Sequence, residues 1–260
     1  MMHILLSRWR QGHRTLPYPK EIPALSERFQ GLPNIQAERC KAGCEACVEA
    51  CPTEAIRLGA GGPELDLGRC VFCPACVEAC PEGAIAFTGD HRLATRTRED
   101  LILAPGADLR RAEALGGELK RLLGRSLKLR VVSAGGCNGC EVDVNVLGTL
   151  AWDLGRFGIQ YVASPRHADG LLITGPVTRN MELAVRKTYD AVPGPKIVIA
   201  VGACAIQGGP YYKRDEQLGG ASSVLPVDLF IPGCPPHPLT ILDGLLRLIG
   251  RLEDEGRRIS

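Results

Sequence analysis

The chain is expected to fold as two units of different class, an α+β unit built on a duplicated cysteine motif and an α/β unit with a parallel sheet. Residues 39–58, RCKAGCEACVEACPTEAIRL, return at 69–87 as RCVFCPACVEACPEGAIAF, with ACVEACP identical in both copies. From residue 127 onward, short runs rich in β-branched residues alternate with helical patterns, as in a parallel sheet covered on both faces. Four further cysteines lie just beyond those runs.

Composition limits the function classes. The 260 residues are 45% hydrophobic and 23% charged, with a formal net charge of +2, an ordinary soluble composition with no case for nucleic acid. The longest apolar stretches, KIVIAVGACAI and PLTILDGLLRLIG, fall short of the ~18 apolar residues that a membrane-spanning helix needs. The opening MMHILLSRWRQGHR has a short apolar run before Arg8 and no small-residue cleavage site, so no secretory signal is expected. Twelve cysteines in a cytoplasmic chain stay reduced, and clustered reduced cysteines read as metal ligands. The first 35 residues form an extension in which Trp9 and several cations mix with apolar residues. Such a segment suits a membrane subunit or bilayer surface, or is simply a mobile chain end.

The duplication occupies a domain at 36–90. Cys70, Cys73, Cys76 and Cys80 follow the bacterial ferredoxin spacing CxxCxxCxxxCP, in which three cysteines bind one 4Fe-4S cluster and the fourth crosses to the other. Cys40, Cys44, Cys47 and Cys51 repeat it with one extra residue in the first gap, which is expected to widen that loop. The crossover rule assigns Cys40, Cys44, Cys47 and Cys80 to one cluster, and Cys70, Cys73, Cys76 and Cys51 to another. The proline after each fourth cysteine is expected to start a helix leading away. Zinc ribbons also use paired CxxC elements, but two complete runs closed by Cys-Pro weigh against zinc.

A linker at 91–126 follows, with Leu109, Ala112, Leu115, Leu119, Leu122 and Leu123 at helical spacing and Asp108 available as N-cap. In the domain at 127–260, LKLRVVS, IQYVAS, GLLITG, KIVIAVG and VDLFIPG read as strands, with helices near 141–157, 179–191 and 238–252. This is an α/β, flavodoxin-like parallel-sheet pattern. Cys137, Cys140, Cys204 and Cys234 each follow a strand. Loops leaving the carboxyl ends of parallel strands meet along one edge, so these four converge on a third 4Fe-4S cluster. The glycines at 135, 136, 139, 202 and 233 let the backbone approach it. Isolated cysteines are also common core residues, yet eight plus four leaves none of the twelve unassigned.

The stretches GGCNGCEVD, RFGI, SPRHADGLLITGPVT, GACAIQGGPY and PVDLFIPGCPP resemble the small electron-transfer subunit of energy-converting nickel-iron hydrogenases of formate hydrogenlyase type, and more distantly its counterpart in respiratory complex I. LSERFQG, LDLGRCVFC and ATRTREDLI resemble the two-cluster ferredoxin subunit of such complexes, separate in most relatives and joined here. The resemblance associates CxxC at Cys137 and Cys140 with hydrogenases, and directly adjacent cysteines with quinone-reducing complexes. It implies a non-catalytic relay subunit, peripheral on the cytoplasmic side of a membrane. Its partners would be a nickel-iron large subunit facing the third cluster, membrane subunits and an upstream electron-transfer protein. The alternative is the same relay in a complex I-like quinone oxidoreductase. A freestanding polyferredoxin would have no use for about a hundred further residues of sheet domain.

Four residues near the third set are weighed separately. Glu141 is either a helix-start carboxylate favoured by the dipole or an aid to proton movement at the subunit contact. Arg166 resembles an arginine near the terminal cluster of complex I relatives, or else pairs with Asp169. His167 and His237 are read as solvated loop histidines before they are read as donors to the cluster.

Overall fold

The computed structural model describes residues 2–41 and 43–252; Ala42, in the longer gap of the first motif, lies outside the described residues. Helix α1 (Met2–Gln11) leads into an extended segment that reaches β1 (Pro33–Ile35). The motif region then forms α2 (Ala46–Glu49), β2 (Ile56–Gly59), β3 (Gly62–Asp66), α3 (Ala75–Ala79) and β4 (Ile85–Phe87). β1 pairs antiparallel with β4, and β5 (Ile102–Leu103) adds to the β2-β3 hairpin through β3. The proline that was expected to start each helix instead follows it. α2 and α3 stop before Cys51-Pro52 and Cys80-Pro81, because a residue preceding proline is driven out of the helical region.

The second unit is a five-stranded parallel sheet of β6 (Leu127–Ser133), β7 (Ile159–Tyr161), β8 (Gly170–Thr174), β9 (Ile197–Val201) and β10 (Leu229–Ile231). The order is β7-β6-β8-β9-β10, or 2-1-3-4-5 within the unit. α5 (Gly139–Val146), α6 (Arg179–Asp190), α7 (Ala203–Gln207) and α8 (Pro238–Leu248) follow β6, β8, β9 and β10. The helix expected over 141–157 ends at Val146, and only a 3-10 turn, Leu154–Phe157, continues it.

Strand residues alternate between two cores, as the period of two requires. Leu171 and Ile173 of β8 face one core and Leu172 the other; Val198 and Ala200 of β9 oppose Ile197, Ile199 and Val201. The first core runs on into the cysteine-motif unit through Ile56, Leu65, Leu67, Cys70 and Leu101. The two units are therefore packed as one body.

The linker departs from expectation in the same direction. Its helix is α4 (Gly117–Leu123), capped by Gly116 rather than Asp108. Leu109, Ala112 and Leu115 are buried but irregular, because their stretch bonds outward: Ala112 N–H donates to Ala94 (2.7 Å) and Leu115 N–H to Leu248 (2.9 Å). Glycines 116 and 117 raise the cost of extending a helix through them. Upstream, Thr95 and Phe230 exchange two backbone hydrogen bonds (2.9 and 3.0 Å), covering the open edge of β10. Residues 91–126 thus strap the second unit.

Every residue of α8 is buried, so its charges must be met internally. Asp243 accepts from Arg247 (2.8 Å) and from the hydroxyl of Tyr18 (2.9 Å). That pins the amino-terminal segment, which Arg156 also holds through the carbonyls of Leu16 and Tyr18 (2.8 and 2.9 Å). Among the described residues no helix is long and apolar enough to cross a membrane.

Candidate iron-sulfur cluster sites

Cys40, Cys44, Cys47 and Cys80 line one cavity, with Pro63 and Ile85 in its wall. Cys51, Cys70, Cys73 and Cys76 line another, with Ile56 and Leu65. Each set takes its fourth member from the other motif. The two motifs build this alike: the Ala55 amide donates to the sulfur of Cys51 and the Ala84 amide to that of Cys80, both at 3.2 Å. What aims each amide is a left-handed residue just before it, Glu54 (φ 51°) in one copy and Gly83 (φ 58°) in the other. Outside glycine that conformation costs about 1–2 kcal/mol. A second left-handed residue precedes the second cysteine of each motif, Gly43 (φ 73°) and Phe72 (φ 56°). The copies therefore return to the same backbone state after the gap of unequal length. The Phe72 amide also donates to Cys70 (3.3 Å).

The donor set suits a cluster. Among the described residues no group of three or more His, Cys, Asp or Glu is arranged to hold a single metal ion, whereas four sulfurs stand around each cavity. A tetrahedral zinc draws four thiolates onto one ion, while a cubane takes each on a different iron and needs them further apart. Burial, with the neighbouring cysteines adding to it, pushes the Cys70 thiol up to about 12 and Cys76 to about 11; Cys47 is raised by burial and then by Cys40. Without metal these thiols are neutral, and iron loading must release their protons.

The third set gathers at the carboxyl ends of the parallel strands. Cys137 and Cys140 flank the start of α5, whose cap Asn138 is left-handed (φ 73°); Cys204 lies on α7 and Cys234 three residues past β10. Three of the thiols feel others of the set. Cys140 is raised by burial, then by Cys204 and Cys234; Cys204 is pushed up to about 12 by burial, then by Cys234 and Cys137. Cys234 is raised by burial and then by Cys137. Cys204 is buried, whereas Cys137 and Cys234 are exposed, so this site opens onto the surface.

The expected glycines divide in use. A Cβ at Gly202 would stand 2.5 Å from the Cys140 sulfur, and one at Gly139 3.6 Å from that of Cys137. Those at Gly135, Gly136 and Gly233 would instead meet Thr178, Gly175 and Pro236, so these three pack loop against loop. Gly209, which sequence reasoning passed over, would bring a Cβ to 2.7 Å from the Cys204 sulfur; its only signal was the double glycine in GACAIQGG.

Glu141 is buried in the first turn of α5, accepting from Ser133 (2.5 Å) and Thr174 (2.8 Å) at the ends of β6 and β8. It lies close enough to add to the raised thiols of Cys140 and Cys204. Arg166 and His167 are exposed. Their turn precedes Asp169, which exchanges hydrogen bonds with the backbone of Lys128 (2.7 Å each). Lys128 lies near the amino end of β6, roughly 16 Å of strand from its other end, so Arg166 is not brought beside Cys137. Nor is His237 a solvated loop residue. It is half-buried between Phe29 (5.3 Å) and Trp152 (6.1 Å), caps α8 by accepting from the Leu239 amide (3.1 Å), and has its pKa lowered by burial.

A cavity of about 310 Å³ separates the second and third sets, with Val71 and Phe72 on one wall and Cys234, Pro235 and Pro236 on another. The second set is thus the neighbour of the third.

Residues 137–248 match the family model described as NADH ubiquinone oxidoreductase, 20 Kd subunit, and residues 39–85 match a 4Fe-4S dicluster domain. A probable membrane-bound hydrogenase subunit, mbhJ, of Pyrococcus furiosus is 40% identical over 146 residues, 56% of this chain and 87% of that one. Formate hydrogenlyase subunit 7 of Escherichia coli is 41% identical over 142 residues, 55% of this chain and 56% of that one. An NADH-quinone oxidoreductase subunit of Bacteroides thetaiotaomicron is 40% identical over 117 residues, 45% of this chain and 59% of that one. With convergent cysteines in the matched sheet domain and paired motifs in the matched dicluster domain, this chain belongs to the 20 kD subunit family of NADH ubiquinone oxidoreductases and membrane-bound hydrogenases, preceded by a 4Fe-4S dicluster domain.

Proposed function

We propose that the chain is a three-cluster electron relay, the non-catalytic subunit of a membrane-associated oxidoreductase. The observation that carries this reading is the sorting of all twelve cysteines into three sets of four. Cys40, Cys44, Cys47 and Cys80 hold the first cluster, Cys51, Cys70, Cys73 and Cys76 the second, and Cys137, Cys140, Cys204 and Cys234 the third. When bound, a 4Fe-4S cluster supplies one-electron exchange. The chain's own residues supply the rest. Amides of Ala55, Phe72 and Ala84 donate to ligand sulfurs, one of the levers on reduction potential, and the apolar walls exclude water. The exposed edge at Cys137 and Cys234 is where a catalytic large subunit docks, and the dicluster domain at 36–90 leads away from it. The strand order 2-1-3-4-5 supports a flavodoxin-like sheet domain at 127–260.

The CNGC spacing and two of the three relatives named above favour a nickel-iron hydrogenase as the complex. The complex I-like relative keeps a quinone oxidoreductase as the second reading. Anaerobically purified protein is expected to hold about twelve iron atoms per chain, four for each cubane, with negligible zinc. About eight, in a chain whose sheet domain is folded, removes the third site.

Peripheral attachment on the cytoplasmic side, where thiols stay reduced, is assigned to α1. Ile4, Leu5 and Trp9 are 72%, 67% and 83% exposed. Arg8, Arg10 and Arg14 accompany them, with no acidic residue before Glu21, a pattern that suits anionic lipid. At about 1 kcal/mol per cation near the surface, Arg8→Gln with Arg10→Gln is expected to weaken co-sedimentation with anionic vesicles at least tenfold. Equal binding by the double variant rejects the assignment.

A further inference from the structure

The relay reading leaves open what holds the second and third sites at a working separation. One contact joins the ligand loops directly. Gly68, two residues before Cys70, packs so closely on Ile206, two residues after Cys204, that a Cβ there would stand 2.8 Å from its side chain and 2.7 Å from the guanidinium carbon of Arg98. Arg98 therefore lies in the same seam. Its Nη2 donates to Asp66 at the end of β3 (2.6 Å) and its Nε to Gln207 at the end of α7 (3.2 Å). Asp66 is otherwise committed to its own turn, accepting from the Gly68 amide (2.9 Å). α7 carries Cys204 and Gln207 together. One guanidinium thus ties the turn that presents Cys70 to the short helix that presents Cys204, and the side chains of Arg98 and Asp66 are each about four-fifths buried.

We propose that Arg98 is a positioning residue for electron passage between the second and third sites, and that Gly68 is glycine so that the two loops can touch. The inference rests on the three-cluster reading above. A guanidinium serves here because it is planar and forked, reaching two acceptors at once, which an ammonium does only as a point charge. The short connection runs from Cys70 through Arg69 and Gly68, across the contact to Ile206, and through Ala205 to Cys204. One electron crosses, one site losing what the other gains, and no bond is made or broken.

Other contacts across the seam lie outside this line. Lys213 pairs with Glu54 and Arg69 stacks on Tyr212 (5.3 Å), but Glu54 and Lys213 are largely exposed, and exposed pairs contribute little. They dock the loop after α7, whereas Arg98 acts on α7 itself.

The test compares Arg98→Ala, Arg98→Lys and Gly68→Ala with wild type in the anaerobic holoprotein. Arg57→Gln is the control, breaking an exposed pair with Glu64 that takes no part in the contacts of Arg98. Iron content, the magnetic splitting between the two reduced neighbouring clusters, and the rate at which an electron injected at the dicluster domain reaches the third site are measured together. In R98A and G68A the splitting should shrink and the fast phase of arrival be lost, with iron held at about twelve per chain. R98K should fall between them and wild type, and R57Q should match wild type. Unchanged splitting and arrival in both R98A and G68A overturn the proposal. So does iron loss in R98A with R98K and G68A both behaving as wild type, which would make Arg98 a folding residue only. Iron of about eight in the wild type would instead refute the three-cluster reading on which the inference stands.

Discussion

Cys234→Ser should stop electron passage between the large subunit and this chain, while the two dicluster sites remain reducible by dithionite. The separation follows from the ligand sets, since none of the four cysteines of the third set lines either cavity of the dicluster unit. Cys234 is also one of the two exposed members of the third set, with Cys137. A serine there offers a harder oxygen donor, poorly matched to iron that thiolates normally hold. Iron should fall from about twelve towards eight per chain, and the seam at Gly68 should stay intact because Cys204 remains in place. Cys80→Ser should do the reverse, emptying the first site and leaving the third. Full-rate transfer between partner and dicluster domain in C234S would show that the path does not pass through the third set.

The second large effect concerns the partner. The native assembly should contain nickel in a large subunit and evolve or oxidise hydrogen with low-potential dyes, whereas the isolated chain should show no such activity. The proposed reading commits all twelve cysteines to relay clusters, so in it the chain keeps none for a catalytic nickel. Purification of the complex with metal analysis and a hydrogen assay checks both halves. An assembly lacking nickel and reducing a quinone would transfer the chain to the complex I-like branch and leave its relay role as it is. Hydrogen turnover by the isolated chain would reject the non-catalytic assignment.

Much of the site was legible in the sequence because cluster ligation is written locally. The repeated ACVEACP and its flanking cysteines pointed to two sets of four, and in the structure Cys51 and Cys80 each line the cavity of the other motif. The strands were legible for a similar reason. β9, buried on both faces, reads as the apolar run KIVIAVG, while β6 reads as the partly alternating LKLRVVS, and the two stretches matched their strands to within a residue at either end. The linker misled because Leu109, Ala112 and Leu115 have the spacing of a helix face, while the amides of Ala112 and Leu115 bond to Ala94 and Leu248 instead of within the stretch. Periodicity records which side chains are buried; it does not record where the backbone hydrogen bonds go.

By itself, then, the sequence determined the duplicated cysteine motif and the succession of strands and helices along the chain, since each is written in local spacing and local apolar pattern. The tertiary structure alone decided how the sites stand towards one another. His237 became a cap wedged between Phe29 and Trp152, and Arg166 was carried to the far end of β6 from Cys137. Gly68 and Ile206, 138 positions apart in the numbering, came into contact under Arg98. No local signal announces such a meeting, because it arises from the packing of two separately patterned units onto one shared core, whose geometry is set by every side chain filling it.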